Sequence, residues 1–141
     1  MLVYLLVSLG SAIGGCLRYA ITRAMLGISP GTTRSTILIN VLGSFFIGYI
    51  GNLTISGSRF QASESMRIFL MVGICGGFTT FSSFSLQNFY LLRSGAWARA
   101  LTNAGLSVLL CVGAVALGYL LAQRSSHSVA IVQTSTEKSV G

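Results

Sequence analysis

Apolar residues dominate this chain in four long stretches, each bounded by single basic residues and short polar turns. Cutting at the charged positions leaves neutral runs at 1–17, 35–58, 68–92 and 100–123, of 17, 24, 25 and 24 residues. A helix rising about 1.5 Å per residue needs about 20 apolar residues to cross roughly 30 Å of hydrocarbon. The last three runs therefore suffice alone, and the first suffices if its helix continues past Arg18. The pattern predicts an all-α integral membrane protein with spans over about 2–26, 35–56, 66–92 and 98–123. They are joined by a turn around 28–33, a polar linker near 57–65 and a short turn at 93–97. Residues 1–123 form one transmembrane domain. The remainder, 124–141, is Ser/Thr-rich, too short for a core and expected to be a disordered polar tail.

Composition agrees: of 141 residues 52% are hydrophobic, only 8% are charged and one is proline, where soluble domains carry roughly a quarter charged residues. The first run is not expected to be a cleavable leader, because it has no basic start and opens directly into further spans. A net charge of +7 would point to nucleic acid in a soluble chain, but these arginines sit singly at span ends, where basic residues anchor helices. No nucleic-acid partner is expected. Cys16, Cys75 and Cys111 lie in three different spans without a CxxC spacing. They fit neither a disulfide framework nor a zinc site and read as small buried packing residues. His127, the only histidine, stands on the tail with nothing to orient it.

Counting basic residues on the two sides gives a tie. The N-terminal side, the second linker and the tail carry Arg59, Arg67, Arg124 and Lys138; the other two turns carry Arg23, Arg34, Arg93 and Arg99. Two readings stay open: a detail decides one orientation, or copies insert both ways and pair antiparallel, reproducing with two chains the inverted repeat of many transport proteins.

No enzyme is visible, since no His, Asp, Glu or Lys lies inside a span to serve as the base that nucleophilic catalysis requires. The same absence argues against a proton-coupled cation exporter, which needs an intramembrane carboxylate. A structural subunit that only packs against partners would account for the glycines and lone arginines. Arg18, in GGCLRY, is either a snorkelling anchor or a charge facing an anion cavity. Asn40, in NVLGSFFIG, needs hydrogen-bond partners in apolar surroundings and could simply join two helices. The pairs Gly10/Gly14 and Ser44/Gly48 permit close helix approach.

Span 3 is the informative one. Its centre, GICGGFTTFSSFS from Gly73 to Ser85, holds three glycines in five positions followed by five hydroxyls. Each interior glycine costs a helix up to about 1 kcal/mol relative to alanine, and clustered hydroxyls offer the backbone other partners, so a break is expected there. An unwound segment at membrane depth must be buried in protein or line a cavity, and its carbonyls can hold a cation; the other reading is a glycine-rich packing face on an intact helix. Phe78, Phe81 and Phe84 recur every third residue, a stripe for lipid or core, or one whose positive ring edges could face a small anion.

GGCLRY, NVLGSFFIG and GICGGFTTFSSFS, in this order on spans 1, 2 and 3 of a four-span chain, resemble the Fluc (CrcB) family of fluoride channels. The resemblance covers residues 1–123. It implies a fluoride-specific channel in the cell membrane, an antiparallel dual-topology homodimer surrounded by lipid, that exports fluoride passively and confers fluoride resistance. It also implies a structural, untransported sodium ion held by backbone carbonyls of Gly76 and Thr79 from both copies. By position, Phe81 and Phe84 match the pore phenylalanines and Asn40 the pore asparagine. Ser82 and Ser83 fall in the family's hydroxyl track, Ser107 fits a pore serine on span 4, and Arg18 matches the span-1 arginine. Gln87 and Asn103 depart from the pattern, standing where glutamate and a ring-bearing residue are common.

Overall fold

The structure, a computed structural model, describes residues 1–28, 32–54 and 62–140, with side chains described for these apart from 28, 32 and 125–140. The centre of the first turn, 29–31, and most of the second linker, with Arg59, lie outside the described residues, as does the side chain of His127. Among the described residues, four helical stretches are long and apolar enough to cross a membrane: Leu2–Gly27, Thr33–Leu53, Glu64–Arg93 and Trp97–Arg124. The first passes Arg18 without interruption, as its length requires.

Helix α1 spans Leu2–Ile28 and α2 spans Thr32–Leu53. Span 3 is composite. It begins with one α-turn, α3 (Glu64–Arg67), whose Met66 N–H donates to the Ser63 Oγ at 3.3 Å, an ordinary N-cap. It widens into a π-helical segment, Ile68–Cys75, then tightens into α4 (Gly76–Phe78). After an interruption at Thr79 and Thr80 it resumes as α5 (Phe81–Arg93). Ser94 to Ala96 turn the chain through Gly95, at φ +76°. There the Ala96 N–H reaches the Leu91 carbonyl at 2.9 Å and the Gly95 N–H reaches Leu92 at 3.0 Å, the paired bonds of a glycine-terminated helix. Helix α6 follows, Trp97–Val140. Its backbone continues through the tail expected to be disordered; between Tyr119 and Val140 the sequence holds no Gly or Pro to stop it.

Packing divides the chain into two pairs: α1 lies against the π segment and α4, and α2 lies along α6, while α5 touches both α6 and α2. Glycines decide both crossings. A Cβ on Gly10 would stand 2.8 Å from the Gly73 Cα, and one on Gly77 would stand 2.6 Å from the Ser11 carbonyl oxygen. In the other pair, a Cβ on Gly48 would strike the Val115 carbonyl and one on Gly118 the Phe45 carbonyl. Between helices already in hydrocarbon there is little hydrophobic drive to associate, so close backbone contact supplies the dispersion attraction instead. Thus the glycines of span 3 are not where its helix breaks; Gly73, Gly76 and Gly77 all remain helical, and the interruption falls on the two threonines.

The described apolar core is small, Ile39, Cys75, Phe78 and three alanines, while large apolar side chains such as Leu101 and Leu109 face outward, as a lipid solvent allows. Cys75 fits the packing role expected of the cysteines, whereas Cys16 is exposed and Cys111 half-buried. Asn52 donates from Nδ2 to the Tyr119 carbonyl at 3.1 Å, tying α2 to α6 near one end.

Neighbouring glycines on α1 give a direct check. A Cβ on Gly14 would collide with the Ile74 carbonyl and lie 2.8 Å from the Phe78 N, whereas one on Gly15 meets nothing within 4 Å. Gly14→Ala is expected to destabilise the detergent-solubilised protein by about 1–3 kcal/mol. Gly15→Ala should be neutral or stabilising by up to about 1 kcal/mol. Thermal unfolding of the two variants side by side measures the difference.

Candidate functional site

The break in span 3 is made by a side chain from another helix. Thr79 is extended at ψ 156°, and Thr80 stands at φ −139°, ψ 78°. The Thr80 N–H, which in a continuing α-helix would donate to the Gly76 carbonyl, donates to Asn40 Oδ1 at 2.7 Å. Asn40 Nδ2 in turn donates to the Thr80 carbonyl at 3.4 Å, and the same carbonyl accepts the Phe84 N–H at 3.3 Å, opening α5. One amide therefore pairs with both backbone polar groups of one residue, the N–H and the carbonyl of Thr80. On the near side, Thr79 closes α4 by donating its N–H and its Oγ1 hydroxyl to the Cys75 carbonyl, each at 3.1 Å. β-branched threonine is a weak helix former and its hydroxyl back-bonds readily, so this pair is where the helix yields. Gly43 gives α2 room to approach: a Cβ there would run into Thr79 Cγ2.

Two consequences follow for backbone polarity. The Gly76 carbonyl is released from the helical ladder, and Gly76 is exposed on the protomer. The extended ψ of Thr79 turns its carbonyl away from the direction of the helix carbonyls. These are the two positions expected to supply cation ligands, and they are where carbonyl oxygens leave the ladder.

Beside the break lies a cavity of about 340 Å³, lined by Asn40, Gly43, Ser44, Ile47, Cys75, Gly76, Thr79, Phe81, Phe84, Ser107, Val108 and Cys111. It brings together six of the expected site residues from α2, span 3 and α6. Phe81 and Phe84 sit with ring centroids 5.5 Å apart at 39°, and Phe81 is 78% exposed on the protomer, reaching outward. Phe78, the third ring of the sequence stripe, is buried, because the break removes the register that would have aligned all three. The Ser107 Oγ is buried without a hydrogen-bond partner.

A second cavity, about 490 Å³, is lined by Arg18, Tyr19, Thr22, Ser35, Thr36, Ile39, Thr80, Ser83, Leu86, Gln87 and Tyr90. Asn40 lines the first cavity and Thr80 the second, so the bonded pair stands between them. Arg18 thus lines a cavity together with hydroxyl and amide side chains. Helical spacing on α5 sends Phe81 and Phe84 to the first cavity and Ser83 and Gln87 to the second. Ser82, between them, is exposed and lines neither, so the structure does not join it to Ser83 in one track. No carboxylate lines either cavity.

The sequence reading singled out Gln87 and Asn103 but missed their partners, Thr36 and Asn88. Gln87 donates from Nε2 to the Thr36 Oγ1 at 2.8 Å, joining α5 to α2. Asn103 donates from Nδ2 to Asn88 Oδ1 at 3.2 Å, and Asn88 donates from Nδ2 to the Phe84 carbonyl at 3.0 Å. The available signal was helical spacing: Thr36 stands four before Asn40, Asn88 four after Phe84, and Asn103 and Cys111 flank Ser107 by four on either side.

Comparison with known proteins extends the picture. A family model described as "CrcB-like protein, Camphor Resistance (CrcB)" matches residues 5–119. A protein of Gluconobacter oxydans named "Fluoride-specific ion channel FluC" is 49% identical over 136 residues, covering 95% of this chain and 94% of that protein. One of the same name from Methylobacterium radiotolerans is 50% identical with the same coverage, and another from Methylocella silvestris is 50% identical over 84% of this chain and 92% of its own. These matches run through all four spans with the broken third at their centre, and the chain belongs to the CrcB family.

Proposed function

We infer that this chain is a fluoride-specific ion channel, the activity its relatives are named for. It is a passive path for fluoride and not an enzyme. The observation that carries the reading is the cavity at the break, which offers an anion hydrogen-bond donors and aromatic edges at mid-span, with no carboxylate among its lining residues. Fluoride is small and strongly hydrated, so a path must replace its water. The buried Ser107 hydroxyl and the second N–H of the Asn40 amide are the candidate donors at the break, and the Ser83 hydroxyl one in the neighbouring cavity. The rims of Phe81 and Phe84 present the positive end of the ring quadrupole to the cavity, one ring from each of two copies facing the ion, and a path too narrow for chloride gives the selectivity. Arg18, in the neighbouring cavity, adds a favourable potential. A negative-inside potential drives a monovalent anion outward with about 2.3 kcal/mol per 100 mV. Hydrogen fluoride enters as the neutral acid and dissociates inside; venting the ion relieves its toxicity.

The same reading takes two copies in antiparallel orientation in the cell membrane. Gly76 is exposed beside a carbonyl released from the ladder, and a carbonyl left facing lipid costs several kcal/mol. A second copy seated across the break covers it, and the tied basic count suits insertion both ways. Released carbonyls of Gly76 and Thr79 are hard oxygen ligands that fit a sodium ion. Two from each copy make a shared structural site.

Purified protein in liposomes, with efflux started by valinomycin and read by a fluoride electrode, tests the reading. Fluoride should leave rapidly and chloride, recorded in parallel, should not; absence of fluoride flux from folded dimer in sodium overturns the assignment. Phe81→Ile or Phe84→Ile should slow fluoride efflux by at least about tenfold, and Ser107→Ala, which removes one donor, by about three- to tenfold. Transfer to sodium-free medium should abolish fluoride flux, while a sodium tracer shows no transport at any stage.

A further inference from the structure

Asn103 stands on α6 where it is 7% exposed, one helical turn before Ser107, at 5%. Its amide is held by a directional chain. The Phe84 carbonyl can only accept, so the Asn88 group facing it at 3.0 Å is the Nδ2 donor, and the other Asn88 atom is an acceptor. That acceptor faces Asn103 at 3.2 Å, so Asn103 presents its own Nδ2 there. A backbone carbonyl at a ring-bearing residue thereby orients two amides in series. The last atom of the series, Asn103 Oδ1, is buried without a partner, as is the Ser107 Oγ one turn along the same face.

Resting on the channel reading above, we infer that Asn103 is a positioning residue for the pore ring of Phe84, acting through Asn88. It locks the first turns of α5 to α6. Without this lock, α5 is held at its start by the Asn40 bond to Thr80 and on its other side by the Gln87 bond to Thr36, and Phe84 is left to turn between them. The series also leaves the Asn103 carbonyl, not its amino group, as the unpartnered end, one turn before the unpartnered Ser107 hydroxyl.

The relay needs a donor at Asn103, and protonation can supply or withdraw one. In Asn103→Asp the carboxylate opposes the Asn88 Oδ1, acceptor against acceptor; as the pH falls the buried carboxyl takes up a proton, and its O–H donates to Asn88 in place of the amide. The ionisable side chains on the helices packed here are Arg34 and Tyr49 of α2, Tyr90 and Arg93 of α5, and Arg99, Cys111, Tyr119, Arg124, His127, Glu137 and Lys138 of α6; the imidazole and the carboxylate stand 24 and 34 residues beyond Asn103 on that helix, at least about 36 Å along it. Fluoride efflux of Asn103→Asp should be about tenfold below wild type near pH 7.5 and recover to within about threefold near pH 5, after subtraction of protein-free vesicles. Wild type should stay flat, and Asn103→Leu should be slow and flat. An aspartate variant matching wild type at the higher pH, or slow at both while still dimeric, overturns the relay. Melting temperatures of Asn88→Ala, Asn103→Leu and the double variant test the bond without flux: non-additive losses are expected, and additive ones overturn it. Wild-type flux in the same vesicles tests the channel reading separately, so the two failures are distinguishable.

Discussion

Hydrocarbon offers no hydrogen bonds, so a peptide group that leaves its helix in mid-membrane must find its partner inside the protein. The Thr80 N–H and carbonyl, in two successive peptide groups, are both answered by Asn40. Everything specific about this chain turns on that pairing. It gives the Thr80 N–H a partner where span 3 stops and restarts, and it releases the Gly76 carbonyl. It also resets the helical phase, so that Phe78 goes to the core while Phe81 and Phe84 go to a cavity. The bonded pair also separates the donor-lined cavity from the one holding Arg18.

The glycines serve a different end. Packing α1 on the first half of span 3 and α2 on α6 requires backbones to touch, and Gly10, Gly14, Gly48 and Gly118 are where they do. That close approach brings Asn40 within reach of Thr80, because α2 must come near enough for Gly43 to meet the Thr79 side chain. Packing and polarity are thus coupled: the amide bridge forms only if the small residues admit the helices, and the helices have a reason to meet at that height because the bridge is there.

Electrostatics in the two cavities are simple because their polar lining is almost entirely neutral. Amides and hydroxyls supply dipoles that can turn toward an anion, Arg18 supplies a fixed positive charge, and no carboxylate opposes it. The Asn88 to Asn103 series adds direction to this neutral set, since each amide is oriented by the one before it.

Much of this was legible in the residues. Four spans follow from uncharged runs long enough to cross a bilayer, a property of composition along the chain that needs no partner element. The motifs named the residues that meet at the cavity, Asn40, Phe81, Phe84 and Ser107 with Gly76 and Thr79, and helical spacing carried the rest of the lining on α2 and α6. Glycines and hydroxyls together marked the segment that breaks, but not which of them yields: the glycines stay helical, Gly73 and Gly77 against the α1 backbone, and the threonines part. The wide π turn of Ile68–Cys75 and the separation of Ser82 from Ser83 were likewise invisible. By itself the sequence determined that the chain is a bundle of membrane spans with donors inside them, because solvent preference is a property of each residue. Only the tertiary structure decided where span 3 parts and which donors share a cavity, because those depend on which helix supplies the partner for a peptide group that water cannot reach.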